Sequence, residues 1–127
     1  MVRGIESVLL SSQHPKKLAM FYKDTVGLTM TLEAQMGEDN EDLYGFEMKQ
    51  GTSLYIMHHS NVKGTSKQPE RYLLNFEVDV IEKEVKRLVK AGVKLVKDIY
   101  HVEGYGKIAT FEDPDGNYFQ FVQVKAA

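Results

Sequence analysis

Residues 111–121 read FEDPDGNYFQF, which combines two short apolar runs with a turn sequence between them. Pro presets its own φ angle and Asp binds nearby backbone amides, so residues 113–117 predict a turn joining two antiparallel strands. Residues 46–56, FEMKQGTSLYI, lie 65 positions earlier and match the first stretch at five positions without a gap. The alternative is two unrelated hairpins with similar turns, but a match of this kind favours an internal duplication.

The elements around these two stretches repeat in the same order. In each half the apolar residues follow a period of two, then a helical period, then a period of two again. The first half predicts one strand, one helix and three strands, at 5–11, 15–27, 28–35, 43–49 and 53–59. The second half predicts the same order at 72–78, 79–92, 94–100, 106–112 and 117–124. Residues 60–70 have no apolar period and predict a linker.

Turn and cap residues mark the ends of the two helices. Pro15 suits a first helical turn, and His14 before it is predicted to cap that helix. Asp79, followed three residues later by Glu82, predicts a capping box at the second helix. The buried stripe of the second helix is predicted to consist of Ile81, Val85, Leu88 and Val89, and the acidic stretch 37–42 is predicted to be an exposed turn.

Composition excludes several classes of protein. The chain has 127 residues, enough for a single domain with a real core, and 43% of them are hydrophobic. Its 16 basic and 18 acidic residues give a net charge of -2 without a basic stripe, which argues against nucleic-acid binding. There is no cysteine, no apolar run long enough to cross a membrane and no signal peptide, so we expect a soluble cytoplasmic protein.

Three local sequences resemble the glyoxalase/bleomycin resistance/dioxygenase (vicinal oxygen chelate) superfamily. They are FYKDTVGL at residues 21–28, the helix region 78–93, and FEDPDGN at residues 111–117. The resemblance covers nearly the whole chain. It implies an α+β fold in which two βαβββ modules, about 1–60 and 71–127, form one domain with a half-barrel groove for a small molecule.

The resemblance also implies where a divalent metal would be held in this family. The four positions fall on Ser7, Tyr55, Leu73 and Gln120. Leu cannot coordinate a metal, and Ser, Tyr and Gln are weak donors for a divalent ion. A register slip would place Glu6 at the first position, but one carboxylate does not make a site. We therefore predict no metal and no cofactor.

Strand alternation predicts which residues line the groove. Leu54, Ile56, Phe119 and Phe121 should point to the helices, and their neighbours should point to the groove. His58 and His59 are adjacent and cannot chelate together, but His59 shares a face with Tyr55. The predicted ligand-binding residues are Ser7, Tyr55, Met57, His59, Leu73, Asn75, Glu77, Tyr118 and Gln120.

This wall is apolar and aromatic with a few polar groups, as is usual for an organic ligand. We predict a homodimer that binds a small, partly aromatic molecule, for sequestration or resistance. One alternative is a lyase, isomerase or dioxygenase of the same superfamily with non-standard active-site residues, although no catalytic residue is identified. Another is a regulatory or structural module with a closed groove, because fold alone does not choose a function.

Overall fold

Both halves of the chain contain the predicted order of one strand, one helix and three strands. The computed structural model describes residues 1–125, and the chain divides into two units, Met1–Gly64 and a second that starts at Thr65. The first contains β1 (Ser7–Ser12), α1 (Pro15–Met20), β2 (Leu32–Met36), β3 (Glu41–Phe46) and β4 (Ser53–His58). The second contains β5 (Leu74–Glu77), α2 (Ile81–Lys90), β6 (Lys94–Val102), β7 (Gly106–Glu112) and β8 (Tyr118–Val124).

The two sheets have the same topology. Their strand orders are β1-β4-β3-β2 and β5-β8-β7-β6, so the first strand of each module lies next to the last. That pair, at one edge of the sheet, is parallel in both sheets, and the other pairs are antiparallel. The prediction of an α+β fold with two βαβββ modules is confirmed.

One face of each sheet is buried against its own helix. In the first unit Leu54 and Ile56 of β4 are 3% and 0% exposed, beneath α1. In the second unit Phe119 and Phe121 of β8 are equally buried, and Phe111 stacks on Phe119 with ring centroids 5.5 Å apart. The predicted inward set is therefore buried in both units, and each such side chain contributes roughly 1.5–3 kcal/mol through burial.

The first helix differs from its prediction in its second half. The α-helix ends at Met20, and residues Phe21–Val26 continue as a π-helix. The backbone N–H of Gly27 donates to the carbonyl of Tyr22, five residues earlier, at 3.0 Å. Gly27 has φ 101°, the left-handed conformation that glycine adopts freely, and so ends the helix where predicted. Tyr22 and Val26 remain buried in this wider turn.

The predicted capping box of the second helix is wrong. Helix α2 begins at Ile81, with Val80 in extended conformation at the N-cap and no side-chain bond from that residue. The amide N–H of Ile81 donates instead to the Gln123 side-chain oxygen on β8, at 2.9 Å. A partner 42 positions away satisfies the helix start, so a nearby acid is not needed.

Other differences concern the ends of elements. Val89 is 49% exposed because Ile81, Val85 and Leu88 already cover the buried side of α2. The predicted acidic turn is shorter, since residues 41 and 42 belong to β3. His14 does occupy the N-cap of α1, but its side chain makes no capping bond, and its own amide donates to the Ser12 hydroxyl at 2.9 Å. Within residues 1–125, no helix is long and apolar enough to cross a membrane.

Candidate functional site

The helix-free face of the first sheet is a continuous apolar surface. The cross-strand register places Leu9, Tyr55, Gly45 and Leu32 in one row across β1, β4, β3 and β2. The next row consists of Ser11, Met57, Leu43 and Ala34. Both rows lie on the side opposite the buried Leu54 and Ile56 of β4, because side chains alternate along a strand. We call these two rows the apolar face.

Two leucine side chains of this face are exposed. Leu9 is 53% exposed and Leu32 is 36% exposed, while Tyr55 between them is half-buried. Gly45 brings the Tyr55 ring close to the sheet, because a Cβ built on Gly45 would lie 2.9 Å from Tyr55 Cε1. An exposed apolar patch with an aromatic ring at its centre is the kind of surface that binds an organic ligand.

One row on the corresponding side of the second sheet is polar. This polar row is equivalent to the row of Leu9 and Tyr55, and it consists of Asn75, Gln120, Thr110 and Lys97. The Gln120 amide donates to the hydroxyl of the buried Thr110 at 2.8 Å. The Lys97 ammonium lies 4.2 Å from the centroid of the Tyr100 ring, a cation–π contact on β6. The next row on the same side is mostly apolar and consists of Glu77, Val122, Ile108 and Tyr100.

Most of the predicted site residues lie on these two faces. Ser7, Tyr55 and Met57 share the helix-free side of the first sheet, since Ser7 pairs with Ser53 and the side chains alternate from there. On the second sheet the register places four more on the helix-free side, namely Asn75, Glu77, Tyr118 and Gln120. Each unit thus brings its own predicted residues onto one surface.

Two predicted site residues lie outside the strands. The structure ends β4 at His58, so the assignment of His59 to that strand is wrong, and His59 is exposed. Its Nδ1 accepts a hydrogen bond from the amide of Asn61 at 3.0 Å, which holds the following turn. Leu73 precedes β5 and is 40% exposed. Neither residue has an orientation that strand alternation can define.

A polar side-chain pair at one end of the first sheet has no counterpart in any local sequence pattern. His58 Nδ1 and a Glu41 carboxylate oxygen are hydrogen-bonded between β4 and β3. Both side chains are about one third exposed. Adjacent strands bring together residues that are 17 positions apart, which no local pattern indicates. On β3, burial is the main cause that raises the pKa of Tyr44, and the nearby carboxylates of Asp42 and Glu33 raise it further. The Tyr44 phenol therefore stays protonated.

The side chains at the four metal positions implied by the resemblance do not fit a divalent ion. Leu73 offers only hydrocarbon, and the Gln120 amide is bonded to Thr110. Ser7 and Tyr55 offer only hydroxyl groups, and none of the four positions holds a carboxylate or an imidazole. Among residues 1–125, no group of three or more His, Asp or Glu side chains could hold a metal ion.

Two cavities lie away from the apolar face. One, of about 490 Å³, is in the first unit and is lined by Gln13, His14, Pro15, Lys16, Lys17, Met20 and Asp42. The other, of about 400 Å³, is in the second unit and is lined by Glu77, Val78, Asp79, His101, Gly106, Lys107, Gln123, Val124 and Lys125. Tyr55 lines neither, whereas Glu77 lines the second. Both cavities have charged residues in their walls.

Comparison with a protein-family model gives one match over most of the chain. The model described as the Glyoxalase/Bleomycin resistance protein/Dioxygenase superfamily matches residues 4–121. A comparison with curated proteins gives no match.

Solved structures share the fold at low sequence identity. A glyoxylase/bleomycin resistance protein/dioxygenase domain from a Frankia species is 16% identical with a TM-score of 0.78, over 98% of this chain and 100% of that one. An antibiotic binding protein from a Streptomyces species is 22% identical with a TM-score of 0.76, over 98% of both chains. A genomically encoded fosfomycin resistance protein, FosX, from Listeria monocytogenes is 16% identical with a TM-score of 0.74, over 98% of this chain and 96% of that one.

Proposed function

Because the chain belongs to the glyoxalase/bleomycin resistance protein/dioxygenase superfamily, we propose that it binds a small, partly aromatic organic molecule on its apolar face. The proposal is supported by one row on the helix-free side of the first sheet, in which the half-buried Tyr55 lies between the exposed Leu9 and Leu32. Burying such a surface against a ligand is favourable by roughly 25 cal/mol per Å² of apolar area. Binding is the chemistry that this surface supports best.

The Tyr55 hydroxyl adds a polar anchor to this surface. Among residues 1–125 it makes no hydrogen bond, so it is available to a polar group of the ligand. Two structural neighbours are an antibiotic binding protein and a fosfomycin resistance protein. We therefore propose sequestration of a small molecule, or resistance to one, as the role of binding here.

Binding on this face is proposed to occur without a metal ion. The support is the donor chemistry at Ser7, Tyr55, Leu73 and Gln120, which lacks any carboxylate or imidazole. Elemental analysis of the purified protein, together with melting curves recorded with and without a chelator, tests this. One tightly held zinc, nickel, manganese or iron ion per chain would contradict it.

A thermal-shift screen of aromatic and saturated compounds tests the binding proposal. For the best compound, Tyr55→Ala should weaken binding by roughly 1–3 kcal/mol, because it removes an aromatic contact and a hydroxyl. Tyr100→Ala is the matched control, since that tyrosine lies on β6 of the other unit beside Lys97 and should leave affinity unchanged. If Tyr55→Ala binds normally but loses as much stability as a core variant, the assignment of faces is reversed.

A homodimer in the cytoplasm remains part of this proposal. A lone pair of four-stranded sheets has open strand edges, such as β2 and β6, and proteins often cover such edges by association. Light scattering should therefore report about twice the mass of one chain. A monomer at high micromolar concentration would contradict the dimer without affecting the binding proposal.

A further inference from the structure

Gly45 is a gap in the apolar face that the Tyr55 ring occupies. A Cβ built on Gly45 would lie 2.9 Å from Tyr55 Cε1, closer than real Cβ contacts come, and a tight 3.0 Å from Tyr55 Cδ1. The Cβ of Leu32, on the neighbouring strand, would lie at 3.0 Å. Two atoms along one edge of the ring thus lie above Gly45, so the ring leans across β3 toward β2.

We propose that Gly45 determines ligand specificity by letting Tyr55 lie across strand β3, where it offers the face of its ring to a planar aromatic group. This inference rests on the proposed binding function and names the class of ligand. An upright ring would present an edge and would suit a ligand of any shape. In this proposal one face of the ring is turned to the backbone at Gly45, and the other face is the surface that a ligand meets.

Stacking explains why the ligand should be planar. Aromatic pairs favour offset-stacked or edge-to-face arrangements over other contacts, and only a flat ring can stack on a ring that lies along the sheet. Leu9 and Leu32 lie on either side of Tyr55 and Gly45 in the same row and provide apolar contacts for the rest of the ligand. A puckered, saturated molecule of equal size would lose the stacking contact and keep the others.

The backbone permits a direct test at this position. Gly45 lies inside β3 and does not have the positive φ angle found at nine other glycines, so alanine is compatible with its conformation. The cost of Gly45→Ala therefore comes from the contact with Tyr55 and Leu32 rather than from backbone strain. Glycine in a strand interior commonly marks a close approach of this kind.

The ring position is measured first without any ligand. In NMR spectra of the wild-type protein, the Tyr55 ring protons should show nuclear Overhauser effects to the Gly45 Hα protons. In Gly45→Ala these effects should weaken, and the Tyr55 ring shifts should change, because the ring must move away from the new methyl group. If wild-type protein lacks the effects, or if the variant keeps the ring in place, the proposal fails.

Specificity is then measured with two probes that share one skeleton. 2-Naphthol is planar and aromatic, and decahydro-2-naphthol is its saturated, puckered counterpart with the same hydroxyl. Wild-type protein and Tyr55→Phe should both prefer 2-naphthol in NMR titrations of the β3 and β4 amides. Gly45→Ala should lose about two- to tenfold in affinity for 2-naphthol, which corresponds to one aromatic contact, and change less for the saturated probe.

An unchanged preference in Gly45→Ala would overturn the inference and leave the binding proposal standing. Preference for the saturated probe, or a screening compound that binds where neither probe does, would also overturn only the inference. No binding by any compound in the screen would overturn the binding proposal as well. If Gly45→Ala does not fold, Gly45→Ala/Tyr55→Ala should recover stability, because the contact with the ring is removed and only the contact with the Leu32 Cβ remains. A double variant that recovers nothing would overturn the inference.

Discussion

The two sheets share their strand order and differ in the chemistry of one pair of equivalent rows on their helix-free sides. Tyr55 and Gln120 occupy equivalent positions, 65 residues apart, on β4 and β8. The first belongs to an apolar row over a glycine, whereas the second donates a hydrogen bond to Thr110. The helix-facing positions beside them stay apolar in both units. The buried face maintains the topology of each sheet, which leaves the residues of the other face free to diverge.

A second difference lies at the helix starts, where the charges of the two units are exchanged. In the second unit the Lys107 ammonium lies 2.8 Å from a Glu82 carboxylate oxygen. In the first unit Asp42 occupies the position equivalent to Lys107, 65 residues earlier. Lys16 occupies the position equivalent to Glu82, because the helix starts lie 66 residues apart. Asp42 and Lys16 line the cavity at the start of α1. Both units therefore have one acidic and one basic residue at these two positions. The acidic residue is on the helix in the second unit and on the strand in the first.

The largest expected effect tests the difference between the two sides of one strand. Phe121→Ala should lower the free energy of unfolding by about 3–5 kcal/mol, because it opens a cavity among packed aromatic rings. Phe121 is 2% exposed, with its ring centroid 5.5 Å from that of Phe111. Its neighbour Gln120 is the matched control, and Gln120→Ala should cost much less. Urea denaturation of both variants measures the difference.

The equivalent pair of substitutions in the first unit tests the same difference between the two sides of a strand. Ile56→Ala should cost roughly 2–5 kcal/mol, and Tyr55→Ala should cost less, since only Ile56 is fully buried. Equal losses at the two neighbouring positions in either unit would mean that the helix-free face is itself a packed core. The distinction between faces would then have to be abandoned for that unit.

An intermediate effect is expected at the start of α2. Gln123→Ala leaves the amide of Ile81 without its partner and should cost about 0.5–2 kcal/mol, the range for losing a helix cap. Asp79→Ala is the control, because Asp79 makes no capping bond in the structure and should change stability little. Chemical denaturation followed by far-UV circular dichroism gives both values. A larger loss for Asp79→Ala would restore the capping box predicted from the sequence.

The smallest effect concerns the exposed pair of Lys107 and Glu82. The hydrogen bond from Lys107 lowers the pKa of Glu82 below its ordinary value of 4.5. A carboxyl whose pKa is lower in the folded state stabilises the fold above its unfolded pKa, and this contribution is lost as the pH falls through the folded pKa. Lys107→Met should therefore reduce the loss of stability below about pH 4.5. The effect is small because both side chains are exposed to solvent.

Lys94→Met is the matched control for that titration. Its ammonium lies 3.7 Å from a Glu112 carboxylate oxygen on the neighbouring strand, which is too long for a strong hydrogen bond. Thermal unfolding at several pH values below neutrality should separate the two variants. Identical pH profiles for Lys107→Met and the wild-type protein would show that the pair contributes nothing in solution.

Much of the fold could be predicted because it depends on local periodicity. Alternation in β4 and β8 predicted which side chains are buried. The structure buries all four of them, namely Leu54, Ile56, Phe119 and Phe121. Gly27 and Gly92 also end their helical segments as expected, both with positive φ. The wrong predictions lie where distant residues meet, such as Asp79, or where an element ends, such as His59. A local pattern carries no information about either.

Hydrophobic periods of two and of about 3.6 exist before the chain folds, so the residue pattern alone specifies the two modules, the order of their elements and the faces that are buried. Which side chains meet across those elements depends on the tertiary structure. Gln123 caps a helix 42 positions away, and Tyr55 lies over Gly45 on the neighbouring strand. These contacts depend on the path of the backbone between the partners. Burial of apolar area, which is non-directional, can be inferred from residue types, whereas a hydrogen bond or a ring contact requires the positions of both partners.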